Sequence, residues 1–193
     1  IPPADAYHKL RHTIEEVNTH LAACLKAVGK PVYRLSPVKG NVLFSSARFG
    51  FCFSTLSFAT MYAQTHNNSF DPAVFAKALW GDIYFDEDKR TFSKKPPQQD
   101  VPRTFQQFIL EPLYKILACS VSKERVELEE ILAEVGVFLT KRDYRGETKA
   151  LTKKVCMQFF GAPTAFTDMV RDHIPSPKQN AKSKIEQTYS GDQ

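Results

Sequence analysis

Two groups of side chains in this chain have a spacing that could bind a metal ion. His8 and His12 are four residues apart in a helical pattern, so their rings would share one helix face. Asp86, Glu87 and Asp88 form an acidic triplet. The histidine pair has no third ligand nearby, and the triplet lacks the alternating ligands and distal glutamate of a calcium loop. We interpret both groups as solvated surface and predict no catalytic or metal-binding residues.

The known catalytic motifs are missing from the sequence. The chain has no phosphate-binding loop, dinucleotide fingerprint, zinc-protease helix or nucleophile elbow. Its cysteines lie far apart among apolar neighbours, which favours buried, reduced core residues over a zinc site. They are Cys24, Cys52, Cys119 and Cys156. The residues alone therefore indicate very little chemistry.

Basic residues are concentrated in one stretch of the chain. This cluster consists of Lys141, Arg142, Arg145, Lys149, Lys153 and Lys154. Lys178, Lys182 and Lys184 add to the basic excess near the end. Such a patch could contact RNA phosphates or an acidic partner, or it could be an ordinary solvated face. The net charge of +5 is low for a dedicated nucleic-acid binder, so both interpretations stay open.

The composition is that of an ordered globular protein. The chain has 193 residues, of which 42% are hydrophobic and 24% charged, and it contains 15 Phe. A disordered segment would be less apolar, and a membrane span would need about 20 consecutive apolar residues. The chain opens on Ile1 with no secretory signal, and its polar end, 176–193, has no evident capped element. We therefore expect a piece of a longer protein that ends in a connector.

The first half of the chain predicts a long helix followed by a strand. Apolar residues recur at intervals of three and four through 4–28, which indicates one amphipathic helix. A buried strand is predicted at 41–44, with a loop at 45–47. A helix over 54–65 should place Leu56, Ala59, Tyr62 and Ala63 inward.

The second half predicts one hairpin and several helices. Asp71 and Pro72 form a helix start, and Gly81 is expected to close that helix. Two short strands flank the polar turn 86–90. Further helices are predicted over 105–117, 126–135, 150–160 and 164–174, with a kink or boundary at Pro112. A capping-box-like start is also predicted at 140–143.

Several sequence blocks resemble one family of GTPases. Residues 44–48 (FSSAR), preceded by a long helix, resemble the last guanine-binding motif of translational-type GTPases. Four more blocks follow the family order: 5–12 (DAYHKLRH), 79–85 (LWGDIYF), 108–116 (FILEPLYKI) and 173–177 (HIPSP). Together they resemble the GTPase component of the U5 small nuclear ribonucleoprotein, the spliceosomal, elongation-factor-like branch, over essentially the whole chain. The translocation elongation factor is the alternative, and positions 83, 111–114 and 174 favour the spliceosomal branch.

The resemblance implies a fold and a domain division. The fold would be an α/β P-loop GTPase domain, of which only the rear part is present, with a mostly α-helical inserted subdomain and a small β-hairpin. Residues 1–52 would be the C-terminal part of the G domain, with the long helix, the last strand and the guanine-contacting loop. Residues 53–174 would form the helical insertion, with the hairpin near 83–93 and a closing helix. Residues 175–193 would connect to the next domain.

The resemblance also implies a narrow nucleotide contact. The backbone of Ser46 and Ala47 would meet the guanine O6, with Ser46 shaping the loop and the small Ala47 allowing close approach. GTP, with Mg²⁺, would be the cofactor of the full-length parent. The phosphate loop, both switch regions and the Asn-Lys-x-Asp motif would lie outside this chain. The chain alone is therefore not expected to bind GTP tightly or to hydrolyse it.

The function implied for the parent is in pre-mRNA splicing. It would be a guanine-nucleotide-controlled scaffold in the nucleus that regulates spliceosome activation and RNA unwinding, with no membrane association. Its partners would be the large U5 scaffold protein, the U5 RNA helicase and U5 RNA. Two alternatives remain at this point: a ribosomal translocation elongation factor, and a non-catalytic helical module that binds protein or RNA.

Overall fold

The computed structural model describes residues 1–67, 69–122 and 125–191, which are mostly helical with two small antiparallel hairpins. The first half contains one long helix, both hairpins and two shorter helices. These elements are α1 (Pro3–Ala27), β1 (Phe44–Ser46), β2 (Phe51–Phe53), α2 (Thr55–Thr65), α3 (Pro72–Ala78), β3 (Tyr84–Asp86) and β4 (Thr91–Ser93). A 3₁₀ turn, Pro37–Lys39, precedes β1.

The named elements in the described part of the second half are all helices or helical turns. Its elements are a π-helical segment (Gln106–Leu110), α4 (Glu111–Ser122), α5 (Arg125–Glu134), a 3₁₀ turn (Asp143–Arg145), α6 (Thr148–Phe160), α7 (Thr164–His173) and α8 (Pro177–Thr188). Across the described ranges, no helix combines the length and apolar character that crossing a bilayer requires. The predicted hairpin and the four predicted helices after it are confirmed, within one or two residues at most ends.

Side-chain caps fix the starts of α2 and α3. Ser54 Oγ accepts a hydrogen bond from the Ser57 N–H at 3.0 Å, and Ser57 Oγ accepts one from the Ser54 N–H at 2.9 Å. Asp71 Oδ1 accepts from the Ala73 N–H at 2.8 Å, and Pro72 occupies the first helical position. Because these contacts satisfy N–H groups that have no partner inside a helix, they decide where each helix begins.

The predicted boundary at Pro112 is confirmed. The helix changes from π to α geometry at Glu111, one residue before the proline. Proline has no N–H, so the Phe108 carbonyl cannot receive the α-helical hydrogen bond that residue 112 would normally donate. The wider π turn before α4 accommodates that missing bond without ending the helix.

An aromatic core joins the first hairpin to the helices. The Phe53 ring stacks on Phe160 of α6 with centroids 4.5 Å apart. The Phe44 ring lies 4.9 Å from Phe105, just before the π-helical segment. All four side chains are buried, at 9% exposure or less. The hairpin is therefore held between two helices by contacts far apart in sequence.

α1 is anchored near its first end by Tyr7. The Tyr7 side chain is fully buried, and its hydroxyl donates to the Gly81 carbonyl at 3.0 Å and accepts from the Gly81 N–H at 3.2 Å. Its ring packs against Trp80 and Phe105, with centroids 5.1 and 5.9 Å away. The phenol thereby satisfies both backbone groups of one residue in the loop after α3.

Charged side chains lie on the solvent-facing side of the contact between α1 and the loop after α3. Arg11 Nη1 lies 3.0 Å from both carboxylate oxygens of Asp82, and Arg103 Nε donates to Asp82 at 2.8 Å. The hydrogen bond from Arg103, followed by that from Arg11, lowers the pKa of Asp82. The Asp82 side chain is 48% exposed to solvent. Its ion pairs with the two arginines therefore orient the segments they join more than they stabilise the fold.

The predicted amphipathic helix α1 is present, but the described residues bury only part of its apolar stripe. Val17 is 46% exposed and Val28 is 65% exposed. The middle of α1 is held instead by the buried Asn18 side chain, which donates to the Leu35 carbonyl at 2.9 Å and accepts from the Leu35 N–H at 2.7 Å. Among the described residues, the loop after α3 and the π-helical segment bury α1 at Tyr7, and the segment at Leu35 buries it at Asn18.

The predicted strand at 41–44 was placed too early. The strand is β1, Phe44–Ser46, and it pairs antiparallel with β2, so Ser45 and Ser46 lie in a strand and not in the predicted loop. The second strand, Phe51–Phe53, was not predicted. The cross-strand pairing of Phe44 with Phe53 decides this register, since both rings are then buried on one face.

Two burial predictions were wrong in part. Leu56 of α2 is 51% exposed, whereas Phe58 is 1% exposed and takes the inward position. Cys24 is exposed and Cys52 half-buried, although Cys119 and Cys156 are buried as predicted. The larger Phe58 side chain reaches the aromatic core from the face next to the one predicted. Cys24 lies on the part of α1 that the described residues leave uncovered.

The polar end of the chain is more regular than predicted. Ser176 and Gln179 form a capping box, with the Ser176 N–H donating to Gln179 Oε1 at 3.0 Å. α8 follows from Pro177 to Thr188, and almost all of its side chains are exposed. The prediction of an uncapped end was therefore wrong, whereas a connector function for 175–193 stays a prediction.

Replacing the Tyr7 hydroxyl should test the anchor of α1. Tyr7→Phe removes both hydrogen bonds and leaves the Gly81 N–H and carbonyl without partners, which should lower the free energy of unfolding by about 1–2 kcal/mol. Urea denaturation measures the loss. Tyr33→Phe is the matched control, since Tyr33 is 58% exposed, and it should change stability by less than about 0.5 kcal/mol. Equal losses in the two variants would show that Tyr7 is not an anchor.

Candidate functional site

The residues predicted to contact a ligand, Ser46 and Ala47, lie at the turn between β1 and β2. Ser46 pairs with Phe51 across the hairpin, and the turn consists of 47–50. The Ser46 carbonyl accepts from the Gly50 N–H at 2.7 Å, and its hydroxyl accepts from the Phe49 N–H at 3.3 Å. Ser46 thus shapes the turn through both its backbone and its side chain.

Gly50 ends the turn in a conformation that other residues rarely adopt. Its φ is +70°, in the left-handed region. A β-carbon at this position would lie 2.7 Å from Lys153 Cε and 3.2 Å from Met157 Cγ, both on α6. The backbone conformation favours glycine, and a β-carbon would also require the Lys153 and Met157 side chains to shift, because the turn lies directly against the outer side of α6.

Aromatic side chains fix the hairpin below the turn. Phe51 lies 4.4 Å from Phe160 between ring centroids, and Phe53 stacks on the same ring. At the turn itself, the Arg48 guanidinium lies 5.6 Å from the centroid of the Phe49 ring. Phe53 is 2% exposed and belongs to the core.

Ala47 presents backbone groups to solvent. Its residue is exposed, and its N–H has no backbone hydrogen-bond acceptor within the ranges that the structure describes. The methyl side chain is the smallest after glycine, so a ligand atom can approach the backbone closely. The turn carries no acid, base or nucleophile positioned by another group. Chemically it can donate hydrogen bonds and select by shape, which is a binding role and not a catalytic one.

The histidine pair does not come together as a metal site. His8 Nε2 lies 3.5 Å from Arg103 Nη1, and its ring meets Tyr7 edge-on. His12 lies 3.5 Å from a Glu16 carboxylate oxygen instead. Among the described residues, no group of three or more metal-ligating side chains is present.

The acidic triplet belongs to the turn of the second hairpin. Asp86 Oδ1 accepts from the Lys89 N–H at 3.0 Å, and the Lys89 ammonium lies 3.4 Å from the same carboxylate. The hydrogen bond from the Lys89 backbone lowers the pKa of Asp86. Asp86 therefore stabilises the turn, while Glu87 and Asp88 are exposed.

Sequence reasoning did not identify the cluster formed by Arg11, Asp82 and Arg103. Two of the blocks that resemble the GTPase family, 5–12 and 79–85, meet at this cluster and at the Tyr7–Gly81 hydrogen bonds. A third block, 108–116, contributes the fully buried Ile109 and Ile116 to the same core. The blocks therefore form a packing interface. The opposite charges of Arg11 and Asp82, in the first two blocks, were the signal from which their pairing could have been predicted.

Substituting Gly50 should test how firmly α6 supports the turn. Gly50→Ala introduces a β-carbon at positive φ and displaces Lys153 and Met157. It should therefore destabilise the chain by more than about 1–2 kcal/mol, the cost of the backbone conformation alone. Gly29→Ala is the matched control, because Gly29 has φ +66° and open space around it. Urea denaturation should give the larger loss for Gly50→Ala. A loss no larger than that of Gly29→Ala would mean that the turn does not depend on its contact with α6.

Comparison with known proteins identifies relatives of the chain. No protein-family model matches it. Over 99% of its length it is 42% identical to the 110 kDa U5 small nuclear ribonucleoprotein component CLO of Arabidopsis thaliana and 44% identical to the pre-mRNA-splicing factor cwf10 of Schizosaccharomyces pombe. It is 43% identical to the 109 kDa U5 small nuclear ribonucleoprotein component GFL of Arabidopsis thaliana.

The match covers nearly all of this chain but only part of each relative. The chain spans about a fifth of their length, 19% of the first two and 20% of the third. The match includes the sequence blocks that meet around Tyr7 and the hairpin that carries Ser46 and Ala47. The resemblance expected from those blocks is thereby confirmed: the chain is related, over nearly its whole length, to one segment of the large U5 small nuclear ribonucleoprotein components.

Proposed function

We propose that the protein containing this chain acts in pre-mRNA splicing as a component of the U5 small nuclear ribonucleoprotein. The observation that carries the proposal is the 42–44% identity, across 99% of the chain, to proteins named as U5 components or a splicing factor. In this proposal the protein is nuclear and serves as a guanine-nucleotide-controlled scaffold. Its partners are the large U5 scaffold protein, the U5 helicase and U5 RNA.

Within that protein, the chain is the rear part of a P-loop GTPase domain with its helical insertion. Residues 1–52 complete the G domain, 53–174 form the insertion and 175–193 lead to the next domain. The exposed apolar side chains of α1 support this arrangement, since Val17 and Val28 lie on a stripe that the described residues do not cover. Burying such a stripe is favourable, and the remainder of an α/β domain would bury it.

The nucleotide contact proposed for this chain is one backbone hydrogen bond to the base, made at a position where only a small side chain leaves room for it. The Ala47 N–H donates to the guanine O6, and Ser46 keeps the turn in place through its bonds to Phe49 and Gly50. Adenine carries an amino group where guanine has this acceptor, so a backbone N–H at that position favours guanine. GTP supplies the phosphates and Mg²⁺ neutralises them, both bound chiefly by motifs outside this chain.

A bulky residue at position 47 should weaken guanine-nucleotide binding by the full-length protein. Ala47→Trp fills the space next to the exposed N–H, and the loss of one hydrogen bond to a buried base predicts about tenfold weaker binding or more. Titration with a fluorescent GDP analogue measures it. Ala181→Trp, on exposed α8, is the control and should bind normally. Unchanged affinity in Ala47→Trp would exclude a base contact at this turn.

Splicing activity can be tested with a chimera. This chain replaces the matching segment of S. pombe cwf10, and intron retention is measured by RNA sequencing after depletion of the native protein. We expect introns to be removed normally, because the core around Tyr7 is built from residues within the matched segment. A second chimera carrying Leu79→Asp, which places a charge at a fully buried site, should retain introns. Intron retention in the first chimera at normal protein level would contradict the proposal.

A further inference from the structure

The basic excess of the chain is concentrated between α5 and the middle of α6. Residues 141–154 contain six basic side chains and two acidic ones, Asp143 and Glu147. This local excess of four compares with a net charge of +5 for all 193 residues. The formal charge excess of this single stretch is therefore nearly as large as that of the whole chain.

One of the two acidic residues is fully engaged inside the segment. Asp143 Oδ2 accepts from the Thr140 N–H at 2.8 Å and from the Thr140 hydroxyl at 2.7 Å, and Oδ1 pairs with the Lys154 ammonium. The hydrogen bond from Lys154, with those from Thr140, lowers the pKa of Asp143 to about 2. Only half of the predicted capping box at 140–143 is therefore present, and the 3₁₀ turn that follows has no side-chain cap. The ion-pair partner of Asp143 is Lys154.

The remaining cations of the turn surround an open depression. Lys141, Arg142 and Arg145 line it together with Gly146, and its volume is about 580 Å³. All three side chains are exposed, and none has an ion-pair partner in the parts of the chain that the structure describes. The depression therefore presents positive charge without a carboxylate among its lining residues.

The outer face of α6 extends this charge toward the first hairpin. Lys149 and Lys153 are one helical turn apart, about 6 Å along the axis, on the side opposite to buried Leu151 and Val155. Lys153 lies against Gly50 at the end of the hairpin turn, which also carries exposed Arg48. The basic surface is defined as Lys141, Arg142, Arg145, Lys149, Lys153 and Arg48.

We propose that the basic surface binds the phosphate backbone of RNA. The proposal deepens the proposed function, on which it rests, by assigning RNA contact to this face of the chain. Phosphate recognition uses several exposed cations and is independent of base sequence. Protein–protein interfaces instead centre on packed aromatic, apolar or Arg anchors. Between Lys141 and Lys154, all of which the structure describes, no large apolar side chain is exposed, and the exposed Phe138 and Met157 lie outside this segment, on either side of it.

The test is a triple substitution that removes three cations without disturbing packed groups. Arg142→Gln, Arg145→Gln and Lys149→Gln are combined, since all three side chains are exposed and Lys153 keeps its contact with Gly50. The probe is a fluorescent single-stranded oligouridylate, measured by anisotropy over a series of salt concentrations. We expect weaker binding and a salt slope smaller by about 2, at about 0.7 per lost phosphate contact.

The matched control removes the same charge elsewhere. Lys178→Gln, Lys182→Gln and Lys184→Gln alter exposed α8 and should leave affinity and salt slope unchanged. Circular dichroism confirms that both triple variants fold. Similar weakening in both variants would overturn the proposal in favour of bulk charge. Tighter binding of polyglutamate than of oligouridylate would overturn it in favour of an acidic protein.

The two proposals can fail independently. If the chimera supports splicing while the triple variant binds oligouridylate normally, the basic surface is not an RNA site but the proposed function stands. If the triple variant loses RNA binding while the chimera retains introns, RNA contact is supported and the proposed function fails.

Discussion

The hydrogen bonding of the Tyr7 phenol to the Gly81 backbone is the contact on which the arrangement of this chain depends. It joins the long first helix to a loop 74 residues away, and both partners of the phenol are groups that would otherwise lack hydrogen bonds. Trp80 and Phe105 exclude water from the ring. A part-buried backbone group without a hydrogen-bond partner costs free energy. The Tyr7 hydrogen bonds therefore fix the position of α1 relative to the loop after α3.

From that position the aromatic core supports the candidate site. Phe105 contacts both Tyr7 and Phe44, and Phe44 pairs with Phe53 across the hairpin. Phe53 in turn stacks on the last ring of α6. The turn at Ala47 is therefore fixed relative to both α1 and α6, although no side chain of the turn itself is fully buried. A binding turn gains precision from such support because its own backbone has few contacts.

The surface of the chain has two regions of opposite character. The later part of α1 exposes Val17 and Val28, whereas α6 and the turn before it expose cations. Apolar surface favours association with another packed layer, and cations favour a phosphate-bearing partner. In the proposed arrangement, the apolar surface of α1 packs against the rest of its domain and the cations contact RNA.

Features that depend on neighbouring residues could be predicted from sequence, and features that depend on distant contacts could not. Ser54 and Asp71 set the starts of two helices and Pro112 marked a change of helix type, because each acts on groups within about one helical turn. The inward position of Phe58 and the exposure of Cys24 follow instead from which surfaces pack together. The sequence alone determined most of the helices, the cap at Asp71 and the relatives of this protein. Only the tertiary structure decided the register of the first hairpin and which faces are covered, since burial depends on partners that local sequence does not specify.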